Sequence, residues 1–186
     1  MAVNHRIRLQ QIIREAEGYL ELSILFSDDF DTSVARERLT PRAIDILKRV
    51  SDAGSLRGHA LYLRGEALRS LDRYQEALEP LQTASEIDPE NIHIWLALGW
   101  CYKRIGRLDL AIESLERALE SDECKAIVYY NLACYWSLAH NKNRALEYLT
   151  QALAVNPDYR DMVSREQDFD FLRADPDFLA LTSLIA

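Results

Sequence analysis

The feature that most constrains this chain is a period of 34 residues. Windows that begin at Gly58, Ile92 and Ala126 place the same residue types in the same columns. Such self-similarity predicts a stack of similar units, because one unit of this size cannot bury its apolar face alone. The recurring columns are Leu61, Trp95 and Tyr129; Gly65, Gly99 and Ala133; Leu68, Tyr102 and Trp136; Ala77, Ala111 and Ala145; Leu81, Leu115 and Leu149; and Ala84, Ala118 and Ala152.

Each window divides into two predicted helices. Leu, Ala, Glu and Arg favour helix, and short polar stretches such as Gly106-Arg107 separate the two halves. Asp88-Pro89 and Asn156-Pro157 end second helices, because the residue before a proline avoids the α region. A small residue in the first helix lets its partner approach closely. The predicted helices cover residues 56–70 and 74–87, 91–105 and 108–121, and 125–139 and 142–155.

The N-terminal part of the chain carries a weaker copy of this pattern. Residues 4–25 have apolar side chains at three- and four-residue steps, which predicts an amphipathic helix. Thr40-Pro41 then predicts a helix start, because threonine can cap a helix and proline fits its first turn. The helix over 40–53 would be the second half of a degenerate repeat.

The degenerate repeat is longer than the clear ones. Its small residues, Ala16 and Ala43, are 27 residues apart, whereas Gly65 and Ala77 are 12 apart. The difference indicates an insertion of about fifteen residues. Insertions in repeat arrays usually lie in loops. We expect a loop over about 23–39.

The C-terminal segment combines acidic residues with large apolar ones. A short acidic segment has little reason to carry so many apolar side chains unless they cover the exposed end of the last helix pair. Asp175-Pro176 is a predicted helix start within it. The apolar residues are Phe169, Phe171, Leu172, Phe178, Leu179 and Leu181.

The columns resemble the tetratricopeptide repeat. The middle window carries the family's W-x-x-L-G-x-x-Y run as Trp95, Leu98, Gly99 and Tyr102, although Glu123 stands where the family has a proline. The last window and its tail resemble the closing repeat of bacterial arrays. The resemblance implies an all-α fold, a right-handed α-solenoid of stacked helix-turn-helix repeats.

The resemblance also divides the chain, as a single domain of residues 1–186, into units. These are an N-terminal helix with a degenerate repeat at 4–57, repeats at 58–91, 92–125 and 126–159, and a capping tail at 160–186.

Charge and cysteine content limit the classes of partner. Thirty acidic residues against 22 basic ones give a net charge of −8, which disfavours nucleic acid. The longest apolar run, Ile94–Tyr102, is too short to span a bilayer, and the N-terminus has no apolar signal segment, so no membrane partner is predicted. The three cysteines form no C-x-x-C pair, which favours reduced thiols and a cytoplasmic location.

The sequence offers no constellation typical of an enzyme, a metal site or a cofactor site. It lacks a Gly-rich phosphate loop, H-E-x-x-H and G-x-S-x-G. His59 and His93 lie one repeat apart, roughly 10 Å, which is too far to share a metal ion. The acidic stretch Asp28, Asp29 and Asp31 lacks the glycine and closing glutamate of a calcium loop, so we expect a solvated loop.

The resemblance implies that the first helix of each repeat lines a concave face. The family's Lys/Asn/Arg clamp for chaperone C-termini is absent from this face. What remains is an aromatic groove with a basic edge, which is typical of protein recognition. The candidate peptide-binding residues are His59, Tyr62, Glu66, Arg69, His93, Leu96, Trp100, Lys103, Arg104, Ile127, Tyr130 and Cys134.

Two interpretations of the groove aromatics stay open at this point. They bind an apolar or amphipathic segment of a protein partner, or they pack against the chain's own N-terminal part or tail. The first makes the protein a non-catalytic adaptor or scaffold. A self-assembling homo-oligomer and a small secretion or assembly chaperone are the alternative functions.

Overall fold

The computed structural model describes residues 2–25, 32–50, 54–120 and 125–183. Within them the chain is an all-α solenoid of helix pairs. The pairs are α1 (Ala2–Leu25) with α2 (Thr32–Lys48), α3 (Arg57–Ser70) with α4 (Tyr74–Ile87), α5 (Ile92–Arg104) with α6 (Leu108–Ala118), and α7 (Lys125–Leu138) with α8 (Lys142–Val155). Helices α3 to α8 begin and end within three residues of the predicted bounds.

The three clear pairs turn in the same way. One residue in each turn has a positive φ: Asp72 at 59°, Gly106 at 78° and His140 at 56°. The following backbone N–H donates back across the turn, for example from Arg107 to the Tyr102 carbonyl at 2.9 Å. This bond satisfies a carbonyl that the helix end would leave unpaired. The 34-residue period therefore repeats the turn geometry as well as the apolar columns.

The small column lets the two helices of a pair pack closely. A methyl group at Gly65 would lie closer than 3.0 Å to the Leu81 side chain. A methyl group at Gly99 would lie 3.2 Å from Leu115, which occupies the same column as Leu81. In these two pairs, a glycine of the first helix therefore packs against a buried leucine of the second helix.

Gly65→Ala is expected to lower the free energy of unfolding by about 1–3 kcal/mol, because the added methyl overpacks the contact with Leu81. Gly18→Ala is the matched control, since a methyl there meets nothing within 4 Å. That control should raise stability by about 0.5–1 kcal/mol through helix propensity. Urea unfolding of both variants checks this; a stabilised Gly65→Ala would contradict it.

Two apolar clusters fill the solenoid. The larger one runs through the three clear pairs into the tail, and the smaller one joins α1 and α2 to the start of α3. Ala16 and Ala43 are both fully buried in the smaller cluster. The two alanines are therefore core residues of the first helix pair.

The predicted start of the second helix at Thr40-Pro41 was wrong. Helix α2 begins at Thr32, and Pro41 lies inside it. Residues 34–39 read VARERL, most of which are strong helix formers, and they extend the helix upstream of the proline. The predicted loop over 23–39 is therefore wrong at 23–25 and at 32–39, which are helical. Asp28, Asp29 and Asp31 lie outside the described residues.

The inserted residues are mostly accommodated as helix. Helix α1 has 24 residues and α2 has 17, against 14 in both α3 and α4. The first pair is therefore longer than the pairs that follow, and Ala16 and Ala43 are still buried in one cluster.

The tail folds as α9 (Tyr159–Val163), a 3₁₀ helix (Gln167–Leu172) and α10 (Pro176–Ser183). Phe169, Leu172 and Phe178 are buried against the last helix pair, as the covering role predicts. Phe171 and Leu179 were expected to share that role but are exposed. No helix in the described part of the chain is both long and apolar enough to cross a membrane.

Candidate functional site

The first helices of the three clear pairs form an open groove of about 280 Å³. Helices α3, α5 and α7 each contribute side chains to it, so the groove spans all three repeats. Its lining residues are Tyr62, Glu66, Arg69, His93, Leu96, Ala97, Trp100, Ile127 and Asn131.

The apolar part of the groove is open to solvent. Trp100 is 38% exposed and Ile127 is 39% exposed, and both line the same groove. Leu96 is half-buried, packs against the core and lines the same groove. Exposed large apolar side chains that are grouped in a concavity are typical of binding sites.

The polar part of the groove is an ion pair. The Arg69 guanidinium donates from Nε to Glu66 Oε1 at 2.7 Å and from Nη2 to Oε2 at 2.8 Å. The hydrogen bond to Glu66 raises the pKa of Arg69. Burial, followed by the Glu66 charge, raises the pKa of Tyr62 to about 12, so its phenol stays neutral. The groove therefore presents one paired charge beside an apolar surface.

The N-terminal edge of the groove touches helix α1. His59 Nε2 lies 2.7 Å from Glu17 Oε1 on α1. Its ring centre is 6.4 Å from that of Tyr62, which does line the groove. His93, one repeat later, is exposed and lines the groove itself. The two equivalent histidines thus have different surroundings, because α1 reaches only the first.

The candidate groove residues Tyr130 and Cys134 are both buried, so Tyr130 follows the second interpretation and packs against the tail. Tyr130 is only 3% exposed, with its ring stacked on Tyr159 at 4.7 Å and edge-on to Phe169 at 5.9 Å. Cys134 is buried beside it, and burial raises the pKa of its thiol, which disfavours the reactive thiolate. The tail therefore covers Tyr130 and Cys134 on the concave face of the last repeat, whereas Ile127 stays in the open groove.

The predicted basic edge consists of Arg69, Lys103 and Arg104, and these three residues have different surroundings. The Lys103 ammonium donates a hydrogen bond to Asp168 in the tail, and these side chains are only 18% and 13% exposed. Arg104 is exposed but lies 5.1 Å over the Tyr74 ring, outside the groove. Only Arg69, already bound to Glu66, lies in the open groove.

One cluster has ligand atoms at metal-binding separations. Cys134, Glu166 and Asp168 place their ligand atoms within 4.8 Å of one another. The positive charge at this cluster is the Lys103 ammonium, which already binds Asp168. The cluster is thus part of the contact between the tail and the concave face.

Sequence reasoning missed two groove residues, Ala97 and Asn131. They stand one period apart, each directly after a residue of the predicted concave columns. The 34-residue period could have been used to predict both of them as one further column of the concave face. It could not have found Asp168, because the tail lies outside the repeating windows.

Two family models match the chain, and both describe the tetratricopeptide repeat. One matches residues 33–92 and the other residues 68–125. Together they span residues 33–125, half of the chain, which includes most of α2 but not α1.

Curated relatives match over part of the chain. The chain is 34% identical over 79 residues to anaphase-promoting complex subunit 3 of Dictyostelium discoideum. It is 29% identical over 100 residues to the same subunit of Schizosaccharomyces pombe. The matches cover 42% and 54% of this chain but only 8% and 15% of those proteins. The chain thus spans a small fraction of the length of these relatives.

Solved structures show the same fold. YrrB, described as a TPR protein with an unusual peptide-binding site, superimposes with a TM-score of 0.62 at 23% identity and covers 87% of each chain. MamA from Desulfovibrio magneticus superimposes with a TM-score of 0.61 at 21% identity, over 91% of this chain and 94% of its own. Identities this low establish the architecture alone.

Proposed function

The chain belongs to the tetratricopeptide repeat family of protein–protein interaction modules, and from that premise we propose that it is a non-catalytic adaptor or scaffold. Its open concave groove would bind an apolar or amphipathic segment of a protein partner.

The exposure of Trp100 carries this proposal. Its ring is exposed in a groove, beside Ile127, although the chain's own tail covers the neighbouring part of the same face. Tryptophan is enriched among residues that dominate binding energy, because it offers a large rigid surface. A segment laid along the groove would bury this ring and Leu96 together, while Arg69 and Glu66 fix the polar register.

Trp100→Ala is expected to weaken groove binding about 30-fold or more, as a hot-spot residue worth about 2 kcal/mol would. The probe is an immobilised array of unrelated octapeptides, incubated with the labelled full-length chain. Binders are then measured by titration calorimetry. Far-UV circular dichroism of the variant checks that the helices are retained.

Val155→Ala is the matched control, because Val155 is an exposed apolar residue at the end of α8 and does not line the groove. It should leave every affinity unchanged. An array in which no peptide distinguishes Trp100→Ala from the original chain would refute the proposal.

A further inference from the structure

The tail already occupies one subsite of the concave face. The Asp168 carboxylate binds the Lys103 ammonium, and the next residue, Phe169, packs edge-on against Tyr130 at 5.9 Å. The same carboxylate group lies within 4.8 Å of the Cys134 thiol. An acidic residue followed directly by an aromatic one is thus seated on three residues of the concave face.

The 34-residue period places a second version of this subsite one repeat earlier. Arg69, Leu96 and Trp100 stand one period before Lys103, Tyr130 and Cys134, respectively. The chemistry of the two sets is similar, because Arg69 and Lys103 are both cations and Leu96 and Tyr130 are both large and mainly apolar. The third position differs, since it holds the indole of Trp100 in one set and the thiol of Cys134 in the other.

The surroundings of the two cations differ in one column. Lys103 Nζ lies 5.4 Å from the ring centres of Tyr135 and Trp100. One period before Trp100 stands Glu66, which binds Arg69. The later subsite is covered by the tail, whereas Arg69, Leu96 and Trp100 all line the open groove.

We infer that the open groove accepts a partner segment in which an acidic residue is followed directly by an aromatic one. The inference rests on the proposed function and specifies the chemistry of the segment. The acidic side chain binds Arg69, and the aromatic ring packs against Leu96 and Trp100. A groove with one cation beside an exposed indole is complementary to both parts.

Glu66 is a built-in competitor for this ligand. The Arg69 guanidinium donates from Nε and Nη2 to the Glu66 carboxylate. An incoming carboxylate must share Arg69 with it and meets a like charge nearby. Removing the Glu66 charge should therefore strengthen binding, the opposite of what a general loss of groove structure would do.

The probe is a labelled synthetic peptide of the tail sequence, EQDFDFL, residues 166–172. It contains two acidic–aromatic pairs, so the control peptides change both: Asp168→Asn with Asp170→Asn, and Phe169→Ala with Phe171→Ala. Fluorescence polarisation against the full-length chain measures each affinity. The original peptide is expected to bind at least about tenfold more tightly than either control, the loss typical of one charge-assisted bond or one aromatic anchor.

Variants of the protein test the location. Arg69→Gln and Trp100→Ala should each weaken peptide binding about tenfold or more, and Glu66→Gln should strengthen it. Arg107→Gln is the matched control, since Arg107 is exposed and binds Asp109 outside the groove. Equal affinity of all three peptides overturns the inference. So does binding that is lost with Lys103→Gln but kept with Arg69→Gln, because the peptide would then have replaced the tail in its own subsite.

The octapeptide array separates this inference from the proposed function. If the Trp100-dependent peptides carry no acidic–aromatic pair, the inference fails while groove binding stands. If no peptide depends on Trp100, both fail. Enrichment of acidic–aromatic pairs among the Trp100-dependent peptides supports both.

Discussion

Tyr130→Ala is expected to lower the free energy of unfolding by about 3–5 kcal/mol, the range for truncating a fully buried aromatic residue. Tyr130 is buried between α7 and the tail, stacked on Tyr159 and edge-on to Phe169. Truncation to alanine would leave a cavity beside both tail rings. The tail should therefore loosen together with the last repeat.

Trp100→Ala is the informative comparison, because Tyr130 and Trp100 are both aromatic residues predicted for the same concave face. Trp100 is only partly buried, so its truncation should cost about 1–2 kcal/mol. Tyr130→Phe keeps the ring and should change stability by less than about 1 kcal/mol. Urea unfolding followed by circular dichroism measures all three variants. Equal losses for Tyr130→Ala and Trp100→Ala would place Trp100 in the core and remove the basis of groove binding.

The sequence predicts the solenoid well because its information is periodic. The column of a residue predicts which face of its helix it occupies. The contact between Gly65 and Leu81, for example, recurs one period later between Gly99 and Leu115. The six helices of the clear repeats follow from these columns.

The repeating columns give no information about which segment packs over the concave face. Tyr62 and Tyr130 occupy the same column, yet Tyr62 lines the open groove and Tyr130 lies under the tail. The difference is made by a segment that does not repeat, so the period holds no information about it. The partner of Lys103 is 65 residues away for the same reason.

The wrong prediction of a helix start at Thr40-Pro41 has a different physical reason. Thr40-Pro41 is a valid local signal for a helix start, but the helix formers at 34–39 lie upstream of it and extend α2. A proline inside a helix costs about 3 kcal/mol, and this chain places one in α4 as well, at the buried Pro80. The packing free energy of a whole helix pair thus exceeds the cost of one proline within a helix.

Lys103→Met is expected to lower the free energy of unfolding by about 2–3 kcal/mol, because it leaves the Asp168 carboxylate mostly buried and without its cation. The estimate is below the range for a fully buried pair, since both side chains keep some contact with water. Lys48→Met is the matched control. Its pair with Asp45 is well exposed, so the loss should be within about 0.5 kcal/mol.

A double-mutant cycle of Lys103→Met and Asp168→Asn isolates the pair itself. We expect a coupling energy of about 1–3 kcal/mol, as for side chains in direct contact. A coupling near zero would mean that Phe169, Leu172 and Phe178 hold the tail without help from the charges. A large coupling would mean that recognition of a carboxylate by the concave face contributes measurably to the fold. That is the same chemistry we infer for Arg69 in the open groove, so the cycle measures inside the molecule the interaction that a partner would have to make.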